Sequence, residues 1–111
     1  ETQADEKWFN RLNEIIQENI SNTEFSVDQL TRSVNMSRTL LYAKVKAVTG
    51  LTPNEFIRLV RLRKAAEYLA GNEYKINEIC YMVGFNSPSY FAKCFQNQFG
   101  VLPKDFINNT N

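Results

Sequence analysis

Histidine is absent from this 111-residue sequence, and cysteine, proline and glycine are scarce. Without histidine the chain lacks the commonest general base and a leading metal ligand. No nucleophile stands at a catalytic spacing from a base, and no group of side chains has the spacing of metal ligands. We therefore expect neither an enzyme nor a protein that carries a metal or another cofactor.

The two cysteines, Cys80 and Cys94, are isolated on apolar helix faces. We interpret them as small buried hydrophobes in a reducing cytosol, rather than as a disulfide or a reactive thiol. No apolar run approaches the roughly 18 residues of a membrane span, and no signal-peptide layout is recognisable. We expect a cytoplasmic chain without membrane contact and, because it begins without Met, a piece of a larger protein.

Apolar residues make up 43% of the chain, with eight Phe and five Tyr, which is typical of a globular domain with a modest core. The net charge of +1 hides an asymmetry, because residues 1–30 carry a net charge of −5 and residues 31–111 one of +6. This split favours a polyanion-binding face in the later part of the chain. Basic side chains also cover ordinary solvated surfaces, so the asymmetry alone does not identify the partner.

The sequence contains an internal repeat. With a shift of 50, Ser37, Gly50, Pro53, Phe56 and Ile57 fall on Ser87, Gly100, Pro103, Phe106 and Ile107. Upstream the shift is 49, and Val27, Leu30, Val34 and Met36 fall on Ile76, Ile79, Val83 and Phe85. One extra residue, Asn86, therefore lies in the second turn. Each copy has the pattern of a helix-turn-helix: a short amphipathic helix, a tight turn and a second, capped helix.

Nearly every segment has helical periodicity, and none alternates like a strand. Ser37 and Ser87 are placed to cap the second helix of each copy. Asn35 and Gly84 suit the left-handed backbone of the turns. The sequence predicts an all-α fold of seven helices, in which two helix-turn-helix units are joined by a connector. The predicted segments are a leader helix (1–22), the first helix-turn-helix (23–51), the connector helix (52–71), and the second helix-turn-helix with a final helix (72–111).

The connector helix has a clear start, with Thr52 as the N-cap, Pro53 in the first turn and Glu55 closing a capping box. We expect Gly71-Asn72 to end it. Its length of roughly 25 Å compares with the ~34 Å between major grooves on one face of DNA. It also carries four basic residues: Arg58, Arg61, Arg63 and Lys64. We expect one or two of them to contact phosphate, while the others are solvated or pair with acidic side chains.

The second helix of each copy carries a polar face that contains no acid. We call these helices the first and second recognition helices. Leu41, Val45 and Val48 should face the core, which leaves Arg38 exposed beside a first outer stripe of Thr39, Tyr42, Ala43 and Lys46. The second outer stripe consists of Ser89, Ala92, Lys93 and Gln96. Lysine, glutamine and methyl-sized side chains suit the edges of bases in a major groove. The alternative is that both stripes are ordinary polar faces of a helical bundle.

At this point the chain resembles the DNA-binding domain of AraC/XylS-type transcription regulators over residues 24–107. The resemblance rests on Met36-Ser37-Arg38, Phe56-Ile57-Arg58, Gly84-Phe85-Asn86-Ser87, Tyr90-Phe91 and Phe99-Gly100. The leader around Trp8-Phe9 is similar to domains that end hybrid two-component sensor-regulators. The resemblance implies a seven-helix monomer whose two recognition helices enter adjacent major grooves.

Carried over by position, the resemblance implies that bases are contacted by Arg38, Thr39, Tyr42, Ala43, Ser89, Ala92 and Lys93. It implies phosphate contacts by Lys46, Arg61 and Gln96, to which the connector's charge adds Arg58. Two departures weaken the match, since Ala43 and Ala92 can offer only a methyl group and Pro88 has no backbone donor.

We expect a sequence-specific DNA-binding output domain of a bacterial transcription regulator. Its expected partners are double-stranded DNA, RNA polymerase, and an upstream sensor or dimerisation domain of the full-length protein. The main alternative is a helical protein-interaction module without DNA binding, for which the acidic leader helix would supply contacts. An interaction-only module would have no reason to keep both outer stripes free of acids.

Overall fold

The computed structural model describes residues 3–110. Within them the chain forms seven helices and no strand, which confirms the predicted all-α class. The helices are α1 (Gln3–Glu18), α2 (Val27–Val34), α3 (Arg38–Thr49), α4 (Pro53–Gly71), α5 (Ile76–Met82), α6 (Pro88–Phe99) and α7 (Pro103–Thr110). Residues 1 and 2 of the predicted leader and residue 111 of the predicted last segment lie outside the described residues.

The chain divides into two compact units. Unit 1 contains the chain up to Asn19 together with Phe25–Val60, and unit 2 contains Ile20–Glu24 together with the chain from Arg61 onward. The division falls inside α4, whereas the sequence predicts boundaries at the two ends of the connector helix. The first recognition helix, α3, belongs to unit 1, and the second, α6, belongs to unit 2.

Side chains cap the helices where the sequence predicted caps. The hydroxyls of Ser37 and Ser87 each accept a hydrogen bond from the backbone N–H three residues later, at 3.2 and 3.3 Å. At the start of α4, Thr52 and Glu55 form the predicted reciprocal pair, at 2.9 and 3.2 Å. The backbone and side-chain hydrogen bonds from Thr52 hold the pKa of Glu55 below its ordinary value.

The turns also follow the predicted chemistry. Asn35 ends α2 with a φ of 55°, and Gly84 follows α5 with a φ of 91°, both in the left-handed region that Asn and Gly tolerate best. After α4 the left-handed residue is Asn72, with a φ of 55°, while Gly71 is the last residue of the helix.

Each unit has its own apolar core. In unit 1 the helical stripes of α1, α2 and α3 are buried together with the first turns of α4: Leu12, Ile15, Ile16, Phe25, Val27, Leu30, Leu41, Val45, Phe56, Ile57 and Val60. The core of unit 2 combines the rest of α4 with α5 and α6: Leu62, Ala65, Leu69, Ile79, Cys80, Val83, Phe85, Phe91, Cys94 and Phe95. Both cysteines are free and buried as predicted, and burial raises the pKa of the Cys80 thiol.

A buried arginine connects three segments of unit 2. Arg61 is only 7% exposed, and its Nη1 donates to the carbonyl oxygens of Ile20 at 2.8 Å and Val83 at 2.9 Å. Its Nη2 donates to the carbonyl oxygen of Asn22 at 3.2 Å. Burial lowers the pKa of Arg61 from its usual value. The guanidinium thereby ties α4 to the segment before α2 and to the turn after α5.

Gly84 makes this arrangement possible. A Cβ at this position would overlap the guanidinium of Arg61 and the carbonyl oxygen of Ile20. Glycine is therefore required here both by the positive φ and by the close approach of the arginine.

We predict that Gly84→Ala lowers the free energy of unfolding by at least about 3 kcal/mol. The strained φ contributes about 1–2 kcal/mol, and displacing Arg61 forfeits hydrogen bonds to a charged donor worth about 1.5–3 kcal/mol each. Gly100→Ala is the matched control, because Gly100 has a φ of 82° in the same unit but a Cβ added there would meet no atom within 4 Å. Urea denaturation compares the two, and equal losses would contradict the role of the close approach.

Candidate nucleic-acid interface

The first outer stripe is exposed on α3. Thr39, Ala43 and Lys46 are exposed, and Tyr42 is half-buried, while Leu41 and Val45 on the opposite face are fully buried. The burial of one face thus leaves the predicted stripe on the surface of unit 1. α3 itself contributes no acidic residue to this surface, so the stripe consists of hydrogen-bond donors and a methyl group.

Arg38 is held at the start of the first recognition helix. Its Nη1 forms a salt bridge with Oδ1 of Asp28 on α2, and its Cζ lies 5.5 Å from the centre of the Tyr42 ring, within the range of a cation–π contact. The arginine and aspartate side chains are 53% and 67% exposed. The ring and the carboxylate therefore orient a guanidinium that remains accessible to solvent.

The second outer stripe lies on α6 in unit 2. Ser89, Lys93 and Gln96 are exposed and Ala92 is half-buried, opposite a face that is anchored by aromatic rings. Phe91 and Phe95 are completely buried, with ring centres 6.0 Å apart. The helix carries no acid, so Lys93 is its single charged residue.

Two large exposed side chains stand at equivalent positions in the recognition helices. Leu40 on α3 is 60% exposed and Tyr90 on α6 is 51% exposed. Leu40 belongs neither to the predicted core face of α3 nor to the first outer stripe. The shift of 50 that superposes the two copies also superposes Leu40 on Tyr90, so the repeat by itself predicts that these positions have equivalent exposure.

The other basic side chains near the outer stripes contact different neighbours. Lys44 on α3 turns to α1, where its Nζ lies 4.6 Å from the centre of the Trp8 ring and 3.7 Å from Oδ1 of Asp5. Arg58 on α4 is half-buried, and with Lys46 it contributes to the lowered pKa of Glu55. Lys46 and Arg58 therefore lie in the electrostatic field of one carboxylate at the start of α4.

The predicted phosphate contact by Arg61 requires correction. The structure buries its guanidinium and directs it to three backbone carbonyls of unit 2. Reaching a phosphate would leave those carbonyls without their donor. The bond to Val83 is buried, so its loss costs about 1–3 kcal/mol, while the partly buried bonds to Ile20 and Asn22 cost less because water can replace the donor. In the sequence Arg61 is one of four basic residues on the connector helix, but in the folded helix its side chain lies on the buried face, with Leu62 and Ala65.

Within residues 3–110, no helix is both long and apolar enough to span a bilayer. The described side chains also contain no cluster of three or more acidic or cysteine residues placed to hold a metal ion.

Comparison with known proteins gives a family match and curated relatives. Residues 30–109 match the family model described as a helix-turn-helix domain. The chain is 42% identical over 104 residues to histidine kinase P4 of Formosa agariphila, a match that covers 94% of the chain and 8% of that protein. It is 34% identical over 98 residues to the HTH-type transcriptional regulator MtrA of Neisseria gonorrhoeae, covering 86% of the chain and 33% of the regulator. The chain thus spans only a small part of either relative.

A solved structure has the same fold. The chain superposes on the DNA-binding domain of AdpA, a global transcriptional factor crystallised with a target DNA, with a TM-score of 0.82 and 23% sequence identity. The match covers 90% of this chain and 89% of that domain.

We predict that Arg61→Met lowers the free energy of unfolding by about 2–3 kcal/mol, because the buried carbonyl of Val83 and the partly buried carbonyls of Ile20 and Asn22 lose their donor. The matched control is Arg63→Met, two residues further along α4, where the side chain is exposed and the expected change is within about 0.5 kcal/mol. Urea denaturation of both variants is the measurement. A loss as small for Arg61→Met as for Arg63→Met would mean that water replaces the guanidinium without cost.

Proposed function

The chain belongs to the AraC/XylS-type helix-turn-helix domain family, and from this premise we propose that it is the sequence-specific DNA-binding domain of a transcription regulator. Its recognition helices α3 and α6 enter adjacent major grooves of double-stranded DNA. One observation carries the proposal: each copy of the repeat exposes an acid-free polar stripe on its capped second helix. Two stripes in register with an internal repeat are the pattern of a protein that reads two half-sites.

In this proposal the outer stripes read bases. Arg38, Thr39, Tyr42 and Ala43 act from α3, with Arg38 and Tyr42 donating hydrogen bonds and Ala43 packing against a thymine methyl group. Ser89, Ala92 and Lys93 act from α6, where Lys93 is suited to guanine O6 and N7.

Phosphate contacts hold the helices in register. We assign them to Lys46 and Gln96, which are exposed at the ends of the two stripes, and to Arg58, which is partly accessible on α4. The helix starts add backbone N–H groups and the positive end of the helix dipole, but Pro88 removes one donor at the start of α6. Phosphate neutralisation supplies affinity, and the base contacts supply sequence choice.

Several comparisons support this role. MtrA is a transcriptional regulator by name, and the AdpA domain of the same fold was crystallised with its target DNA. The similarity to a histidine kinase supports placement at the output end of a two-component protein, where an upstream sensor or dimerisation domain would control it. We further propose RNA polymerase as the partner through which regulation is exerted, a cytoplasmic location, and no catalytic activity of its own.

The proposed function is tested by fluorescence-anisotropy binding to a mixed-sequence duplex over a salt series. We expect affinity to fall steeply as salt rises, with a slope of roughly −0.9 for each phosphate neutralised. Selection from random DNA then yields the preferred site. Absence of binding at low salt, for this chain and for a form joined to its upstream segment, would instead support the protein-interaction module.

We predict that Lys93→Ala weakens binding to the selected site by about 1–3 kcal/mol and leaves mixed-sequence binding nearly unchanged, since a base contact is lost. Lys7→Ala is the control, because Lys7 is an exposed lysine on α1, outside both outer stripes. Anisotropy titrations of both variants on both duplexes provide the comparison. Equal weakening on the two duplexes would show that Lys93 contacts phosphate and not a base.

A further inference from the structure

We propose that Asp28 is a positioning residue for base recognition: it holds Arg38 in the orientation in which the arginine reads a guanine. The inference rests on the proposed function and concerns the first recognition helix. Asp28 lies on α2, the first helix of the same helix-turn-helix, and pairs with Arg38 across the turn. It would not need to touch DNA itself.

The guanidinium is constrained on two sides. The carboxylate of Asp28 engages Nη1, and the Tyr42 ring lies under the guanidinium, 5.5 Å from Cζ. An arginine presents five N–H donors in a planar fork, so one salt bridge through Nη1 leaves the donors of Nη2 and Nε for another partner. Just over half of the side chain, 53%, is exposed, so the guanidinium is not enclosed by its two neighbours.

This arrangement matches the requirement of a guanine contact. Guanine presents O6 and N7 in the major groove, and an arginine binds both through two parallel N–H groups. A solvated arginine populates many rotamers, and fixing them costs conformational entropy at the moment of binding. An arginine that is oriented before binding loses less entropy. Its two parallel N–H groups, fixed in direction, bind a base edge in preference to phosphate oxygens, which lie at other positions.

An acidic residue at position 28 has an electrostatic cost for DNA binding, which the positioning of Arg38 would offset. A carboxylate beside a DNA-reading helix repels phosphates. As the second residue of α2, Asp28 also interacts favourably with the helix dipole, which explains an acid at this position but not its salt bridge to Arg38. The second copy lacks the device, since the repeat places Asn77 and Pro88 at the positions of Asp28 and Arg38.

An opposite role would have an opposite signature. If Asp28 only masked the charge of Arg38, its removal would release a cation and strengthen binding to every duplex. If Asp28 positions Arg38, its removal weakens binding to the preferred site alone. The two effects differ in sign on the preferred site, so one variant separates them.

The test compares wild type with Asp28→Asn, which keeps the size of the side chain and removes its charge, on the selected site and on a mixed-sequence duplex. We expect about tenfold weaker binding to the selected site, within the range of one bidentate base contact. Binding to the mixed-sequence duplex should be unchanged or tighter, because a negative charge has been removed. Preference for one guanine should relax, and its replacement by 7-deazaguanine, which lacks N7, should weaken the wild type but not the variant.

Two controls connect the effect to Arg38. In an Arg38→Ala background, Asp28→Asn should have no further effect on the selected site, because the two residues act through one contact. Glu14→Gln removes an exposed acid of α1 and should leave the guanine preference intact. Thermal denaturation of each variant establishes that the fold persists at the assay temperature.

The outcomes separate this inference from the proposed function. If the wild type selects a site but Asp28→Asn tightens binding to it or keeps the guanine preference, the positioning role is wrong and the proposed function stands. If the wild type binds no duplex in a salt-dependent way, the proposed function fails and the positioning role fails with it.

Discussion

The buried guanidinium of Arg61 is the interaction on which the second half of the molecule depends. It lies in the interior of unit 2 and satisfies three backbone carbonyls that belong to two distant segments. A buried charge costs free energy unless hydrogen bonds compensate for its lost hydration. The carbonyls provide this compensation only while the chain at Ile20–Asn22 and the turn at Val83 keep their positions. The arginine therefore restricts both segments, and the turn leading to α6 depends on it.

The same constraint explains the residue that follows Val83. Gly84 allows the guanidinium to approach the turn and also supplies the positive φ that the turn requires. In the first copy Asn35 ends α2 with a positive φ. The two copies of one sequence pattern thus use different residues for similar turns, because only the second turn packs directly against a buried cation.

The two recognition helices differ in a similar way. Both have a capping serine and an acid-free outer stripe, but their first residues are Arg38 and Pro88. In unit 1, Arg38 is paired with Asp28 and its Cζ lies 5.5 Å from the centre of the Tyr42 ring. In unit 2, Lys93 is the only charge on α6. The first helix thus begins with a guanidinium that has two neighbours, whereas the charge of the second is an ammonium group on a flexible stem.

Local chemistry in the sequence was sufficient for the helices, their caps and the two outer stripes. Ser37, Ser87 and the Thr52–Glu55 pair cap through atoms only three residues apart, so no distant contact is needed to predict them. Periodicity likewise decides which face of an amphipathic helix is buried. The stripes follow from burial of the opposite face, although their contacts with bases stay predictions.

Tertiary structure decided the roles of the long charged side chains. In the sequence Arg61 is one of four basic residues on the connector helix, and Arg38 is an arginine beside a polar stripe. The partners of Arg61 lie 41, 39 and 22 positions away, and that of Arg38 lies 10 positions away, so periodicity could not find them. A flexible side chain with several donors takes its role from whichever acceptors the folded chain brings near it. The sequence by itself therefore determined the helices and the faces they expose, and the folded chain determined which cationic side chains remain exposed.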